Sequence, residues 1–518
     1  MNKKKSPKIA AVIDIGSNML KMRISQLKKG EIVNLDRLEY PLRLGHEAFN
    51  DGKISFESLR ELSTALHGYS EVMAEYGIDQ YRVVATTALR EASNKDYVVD
   101  LLKIQNDMDV RVLEDDQEKT LIYSEILRSL SSMEDLKVDN ALISYIGTGS
   151  IGMTIFNGKN MIFSQNIPIG SLKLHDMLSS VEDETENFYT VVEEYLDIII
   201  GHIAIPHSGN MLSSLVLTGN EIELIAKICN VTPSNGRYLI KAEHITTLFE
   251  EIRRMTPEKI SGKYRLTEET AEILYSALVI YNRLVNFTKT EYIICPKIEL
   301  WDAIIRHMLL PKSKTEYEAQ VSANAVSCAQ VLANRYHCPP KHAENVRLFA
   351  CKIFDKMKGI HGLSPKKRLL LELAAILHDC GHYVNSRQHL YSTFSLINNT
   401  DIYGMTDDDM LLTAYASSYD EYHVPTNDDI EFLSLNKEKR LTISKLVAIF
   451  RLANALDKSQ KQKLSDIKVK LEEDKMIITG ESDENMYLEK WAFGLCAPFF
   501  KEVFGISPIL QIKSFRIC

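Results

Sequence analysis

Asp14, Gly16, Ser17 and Asn18 crowd the end of an apolar run, Ile9-Ala10-Ala11-Val12-Ile13. The run reads as a buried strand. Gly16 lets the backbone approach a ligand closely, and Ser17 and Asn18 add donors beside exposed N–H groups. A carboxylate at Asp14 suits a phosphate-bound Mg2+, because hard cations take carboxylate and water oxygens. The same hexapeptide also suits an ordinary hairpin turn.

Two later stretches repeat the pattern. Ala141-Leu142-Ile143-Ser144-Tyr145-Ile146 runs into Gly147-Thr148-Gly149-Ser150, and Ser214-Leu215-Val216-Leu217 runs into Thr218-Gly219-Asn220. Ahead of both, the strand-like Tyr81-Arg82-Val83-Val84-Ala85 leads into Thr86–Asn94, which carries Arg90. A strand that enters a turn and helix is a good place for an arginine to meet an anion, since helix N-termini already carry partial positive charge. A surface ion pair is the commoner fate of a lone arginine.

The elements that must position these residues alternate strand and helix through the first three hundred residues or so. Lys21–Ser25 reads as the second strand of a hairpin, and Phe56–Tyr76 reads as a helix closed by Gly77. Two strand-turn units imply a duplicated α/β architecture with a nucleotide or phosphate cleft between its halves. Beyond Glu318 helical periodicity dominates, with Leu369–Leu377 a buried helix and Pro311–Lys314 a linker. The last segment returns to alternation. Ile467–Leu471 and Lys475–Thr479 form a hairpin, a helix carries Trp491 and Phe499-Phe500, and Ile509–Lys513 is a final strand.

Composition bounds the function classes. A chain of 518 residues, 45% apolar and 25% charged, is a multi-domain globular protein. Its net charge of -9 argues against a general polyanion surface, and hence against DNA binding. Asp14 interrupts the first apolar stretch too early for a signal peptide, and no membrane-spanning run follows. Eight scattered cysteines without a CxxC pair fit a reducing cytoplasm.

Read in order, IDIGSN, ATTALREASN, LEDDQEKTLIY, YIGTGSIGM and NIPIGSLKL resemble the exopolyphosphatase and guanosine pentaphosphate phosphatase (Ppx/GppA) family. The resemblance implies a duplicated actin/Hsp70/sugar-kinase (ribonuclease H-like) α/β fold, Mg2+ as cofactor, a cytoplasmic homodimer, and hydrolysis of terminal phosphoanhydrides of polyphosphate or of pppGpp. It places Glu118 as the base that activates water and Arg90 as the cation that neutralises phosphate. It gives Asp14 the metal, and Gly16, Ser17, Asn18, Gly147, Gly149 and Ser150 the phosphate oxygens. Read alone, the acidic run Glu114, Asp115, Asp116, Glu118 is a solvated face.

The departures from the family pattern fall on the chemistry. The second motif, usually DIGGGSTE, carries Tyr145 for its aspartate and Gly152 for its glutamate, and tyrosine is a poor Mg2+ ligand. Glu221 stands at the third glycine turn, where its charge would repel a polyanion. The family reading therefore has an alternative: a degenerate member that binds polyphosphate or a guanosine polyphosphate as a sensor or regulator.

In the helical half, His342, His378-Asp379 and Asp457 follow the order H…HD…D, which resembles the HD phosphohydrolase superfamily and the helical third domain of long family members. Such a set can enclose a divalent metal with nitrogen and oxygen ligands. Alternatively, His378 and Asp379 are a core pair in a metal-free domain. His382, four residues after His378, would share its helix face. The expected domains are 1–126 and 127–310 (two actin-like α/β domains), 315–462 (mostly α-helical, HD-type) and 463–518 (a small α+β cap).

Overall fold

The computed structural model describes residues 8–132, 138–182, 188–203, 205, 212–288, 290–426 and 428–513. The chain forms two compact units, Met1–Val321 and Ser322–Cys518.

The first unit is built on two sheets. β1 (Lys8–Ile15), β2 (Met19–Lys28) and β3 (Glu31–Pro41) form an antiparallel meander, and β4 (Tyr81–Ala85) and β5 (Val110–Val112) continue it in parallel. The order is β3-β2-β1-β4-β5. Ala10–Ile13 of β1 are fully buried, which is why the central strand reads as an unbroken apolar run rather than an alternating one. The second sheet contains β6 (Ala141–Ile146), β7 (Ile151–Phe156), β8 (Met161–Ile167), β9 (Ser214–Gly219), β10 (Arg237–Lys241) and β11 (Tyr292–Pro296). Its order, β10-β11-β9-β6-β7-β8, repeats that of the first sheet strand for strand: β6–β8 are a meander, and β9 and β11 run parallel to β6. The antiparallel edge strand β10 is the addition.

The duplication makes two pairs of positions equivalent. The β1–β2 turn (residues 16–18) corresponds to the β6–β7 turn (residues 147–150). Beside them, the cross-strand pair Asp14–Lys21 corresponds to Tyr145–Gly152. The acid of the first copy is thus a phenol in the second, and the lysine is a glycine.

The second unit is helical. Every residue from Leu369 to Leu377 is buried, because the helix Pro365–Leu377 is central, packed by Pro340–Lys356, Asp407–Ser417 and Lys437–Ala455. The expected small sheet is present: β12 (Ile467–Leu471) and β13 (Lys475–Glu481) form a hairpin across Glu472–Asp474, and β14 (Ser507–Lys513) adds in parallel. The helix Tyr487–Phe504 carries Trp491, Phe499 and Phe500 and packs on Lys437–Ala455.

Three expectations change. Pro311–Lys314 is no linker but the first turn of a 25-residue helix, Pro311–Arg335. Proline is well tolerated there because the first N–H of a helix has no intrahelical acceptor. The boundary drawn at 126/127 falls inside the helix Asp115–Ser131. His382 does not share a helix with His378: the α-helix ends at Leu377, and a 3-10 turn, Cys380–Tyr383, follows. Among the described residues no helix is long and apolar enough to cross a membrane, and the seven described cysteines are free thiols.

Candidate functional site

The two glycine turns meet. Thr148 Oγ1 donates to Ser17 Oγ at 3.1 Å, across 131 residues of sequence. Each turn is held by its backbone. Gly16 N–H donates to Met19 O at 3.0 Å, and Leu42 and Gly45 N–H groups donate to Asn18 O and Ser17 O at 2.9 and 2.8 Å. Gly147 N–H donates to Ser150 O at 2.9 Å, while the first amides of the helix Ser171–Glu182 cap Gly147 O and Thr148 O. The Asp14–Asn18 segment is therefore a hairpin turn that lies against the second glycine turn.

Arg90 lies at the end of the short helix Thr87–Glu91 and binds four acceptors. Its Nη1 donates to Leu113 O (2.9 Å) and Glu118 Oε2 (3.1 Å), and its Nη2 to Thr87 Oγ1 (2.9 Å) and Asp115 Oδ1 (3.0 Å). Burial opposes its charge, but Glu118 and Asp115 more than offset that and raise its pKa. Glu118 is buried, in the first turn of the helix Asp115–Ser131, and Tyr145 Oη donates to its Oε1 at 3.4 Å. A carboxylate has about four lone-pair positions, so Glu118 retains acceptors for a water. Burial, with Glu118 and Asp14 nearby, holds the Tyr145 phenol well above its ordinary pKa and therefore neutral.

Glu114 of the acidic run is exposed, but the rest of it turns inward. Despite burial, Lys119 and Arg90 hold the Asp115 carboxyl below its usual range. Lys119 itself is buried, paired with Asp115, and donates to Ser150 Oγ at 2.8 Å. Sequence reasoning missed both residues, because what buries them is the second sheet, far along the chain. Glu221 is also less repulsive than expected. Burial pushes its carboxyl up to about 7, and it accepts from Ser171 Oγ at 2.8 Å, so it anchors a helix start.

The donors at Asp14 do not fit a resident divalent cation. Asp14 Oδ1 is buried without a hydrogen-bond partner, yet burial pushes that carboxyl up to about 7. Around it Asp115 and Glu118 are paired with Arg90 and Lys119, Tyr145 is neutral, Gly152 has no side chain, and a second unpartnered carboxylate oxygen, Glu221 Oε2, belongs to an acid that burial likewise pushes up to about 7.

Metal-ligand geometry occurs instead in the helical unit. Ligand atoms of His342, His378 and Asp379 all lie within 4.8 Å of one another, the one such cluster among the described residues. His378 Nδ1 donates to Ala375 O at 2.9 Å and His342 Nδ1 to Asp457 Oδ2 at 2.9 Å. With those protons placed, the two Nε2 atoms face each other as bare lone pairs 3.2 Å apart, and Asp379 Oδ1 is 3.5 Å from His378 Nε2. Burial lowers the pKa of His378 and so favours the neutral, ligating form. A divalent cation fits this set.

Asp457 lies beside this cluster: its Oδ2 accepts from His342 Nδ1 and its Oδ1 accepts from Gln462 N–H at 2.8 Å. The cluster opens on a cavity of about 250 Å³ that also reaches His382, His389, Lys458 and Gln460. The His382 and His389 rings stack at 4.1 Å. A β-carbon on Gly381 would lie 2.1 Å from His389 O, so only glycine allows the 3-10 turn to press against the helix His389–Asn398.

Comparison with known proteins bears on both units. A profile of the Ppx/GppA phosphatase family matches residues 23–310, and one of Ppx/GppA phosphatase domain III matches residues 326–493. Among solved structures, a Ppx/GppA family member of Aquifex aeolicus is 20% identical, with a TM-score of 0.50, over 59% of this chain and 99% of that one. An exopolyphosphatase-like protein is 17% identical, TM-score 0.50, over 58% and 97%. An exopolyphosphatase from Cytophaga hutchinsonii is 19% identical, TM-score 0.48, over 58% and 98%. The first two likenesses show the fold: the N-terminal half is the duplicated actin/Hsp70-like α/β arrangement.

Proposed function

The chain belongs to the Ppx/GppA phosphatase family, and from that premise we propose that its N-terminal unit removes terminal phosphate from inorganic polyphosphate or from pppGpp. The observation that carries this reading is the junction of the two turns at Ser17 and Thr148, with the Arg90–Glu118 pair held by the helix that follows β5. Phosphoryl transfer asks mainly for positioned water and compensated oxygen charge. Glu118 accepts the proton of the attacking water, Arg90 meets the phosphate, and the Ser17 hydroxyl orients its oxygens. Phosphate release from tripolyphosphate, long-chain polyphosphate and pppGpp by the full chain tests the reading. Binding of these ligands without turnover would favour the sensor alternative.

A second reading rests on the bare Nε2 pair of the helical unit. There His342, His378 and Asp379 hold a divalent cation, Mg2+ or a softer metal to which imidazole is better suited. Such an ion, when bound, polarises a phosphoryl oxygen or acidifies a water. Because Asp457 orients His342, Asp457→Asn is expected to weaken Mn2+ binding by about 10- to 100-fold, read by calorimetric titration. Unchanged affinity would remove Asp457 from the site. Phosphatase activity lost in His378→Ala but kept in Glu118→Gln would move the chemistry here.

A further inference from the structure

Lys119, Asp115 and Ser150 close a ring. Lys119 Nζ donates to the Asp115 carboxylate and to Ser150 Oγ at 2.8 Å, and Ser150 Oγ donates to Asp115 Oδ1 at 2.7 Å. Asp115 Oδ1 also accepts from Arg90 Nη2 at 3.0 Å, and Arg90 continues to Glu118. The result is an alternating row, Lys119–Asp115–Arg90–Glu118, of two cations and two anions. It ends on Ser150, in the second glycine turn.

The space that Lys119 occupies is made by Gly152. A β-carbon at that position would lie 2.2 Å from Tyr123 Oη, and 2.4 and 2.8 Å from Lys119 Cδ and Cε. Any larger residue there would displace the lysine stem. A lysine only 1% exposed is costly unless paired and hydrogen-bonded, and here each requirement is met by groups of the site itself. Without it, Asp115 and Glu118 would share the single countercharge of Arg90, the kind of imbalance that a divalent cation ordinarily relieves.

We propose that Lys119 is a positioning residue that stands in for a metal ion in the N-terminal site: its fixed ammonium balances Asp115 and, through Ser150, holds the second glycine turn in place. Binding of a phosphate chain there is then independent of divalent cations. The proposal rests on the phosphate-site reading above and adds how that site is charged.

The test is calorimetric binding of tripolyphosphate in EDTA and in excess Mg2+, with Asp379→Ala as background so that the helical unit's cation site does not contribute. The expected result is a Kd that agrees within about threefold between the two media. In Lys119→Met, which keeps the chain length but not the charge, the EDTA affinity falls by about tenfold or more and Mg2+ restores part of it. Binding that vanishes in EDTA while Lys119 is still in place overturns the proposal while leaving the phosphate site standing, and needs no change to the N-terminal unit. An undiminished affinity in Lys119→Met, or an equal loss in both media, also overturns it, because a merely structural ion pair creates no cation requirement. Binding in neither medium removes the phosphate-site reading itself.

Discussion

Glu118→Gln is expected to lower phosphate release by roughly a hundred- to ten-thousand-fold, the range over which a positioned general base contributes. The loss should fall on kcat, with KM little changed. The amide keeps the shape of the side chain but gives up both the proton acceptor and the 3.1 Å ion pair with Arg90 Nη1. Arg90 keeps Asp115 Oδ1 at 3.0 Å and the carbonyl of Leu113 at 2.9 Å, so its guanidinium does not lose its place. The measurement is steady-state release of inorganic phosphate from tripolyphosphate and pppGpp. Full activity in Glu118→Gln would exclude the N-terminal unit as the hydrolytic site.

The second large effect concerns stability rather than rate. Burial holds the carboxyls of Asp14 and Glu221 at about 7, against 3.8 and 4.5 for the free side chains. The sign follows from proton counting. Between pH 4 and pH 7 the folded chain keeps protons on these groups that the unfolded chain has released, so stability falls as pH rises through that window and levels off above it. Ionising Asp14 inside the fold costs on the order of 4 kcal/mol, and Glu221 on the order of 3 kcal/mol. Asp14→Asn and Glu221→Gln should therefore each raise the melting temperature by several degrees at pH 8 and change little at pH 4. Asp115 contributes with the opposite sign. Lys119 and Arg90 hold its carboxyl low against burial, and that stabilisation disappears as the pH drops below the ordinary carboxylate range. Thermal melts of the variants across pH 4–8 check the prediction. Identical shifts at both ends would mean the carboxyls are not buried acids. A gain in stability from Asp14→Asn alongside a loss of activity would mark the turn as a place where function is kept at the expense of folding.

Much of the first unit was legible because its strands announce themselves twice. An unbroken apolar run marks a strand buried on both faces, and Gly16 and Gly147 mark where each one ends. The pairing of Tyr145 with Gly152, and the passage of Lys119 through the gap, could not be read along the chain. They depend on β6 lying beside β7 and on the helix Asp115–Ser131 packing against them, and no local pattern encodes that. For the same reason the acidic run looked like solvated surface: Glu118 is buried and Asp115 partly so only because Arg90, from a distant helix, and Lys119 meet them. In the helical unit the order H…HD…D located the cluster but not its roles. Nothing in the sequence separates Asp379 from Asp457, and only the structure shows Asp457 hydrogen-bonded to His342 Nδ1 while Asp379 faces His378 Nε2. Pro311 misled because proline breaks a helix interior yet begins a helix comfortably.

The helix Pro311–Arg335 has a consequence for anyone who wishes to cut this protein in two. A protease needs several residues it can draw into an extended strand, and residues 311–314, already wound into a first turn, offer it none. Limited digestion should spare that stretch and nick the exposed Asn385–Gln388 loop sooner. Amide hydrogen exchange should show slow positions from the second turn, near residue 315, onward.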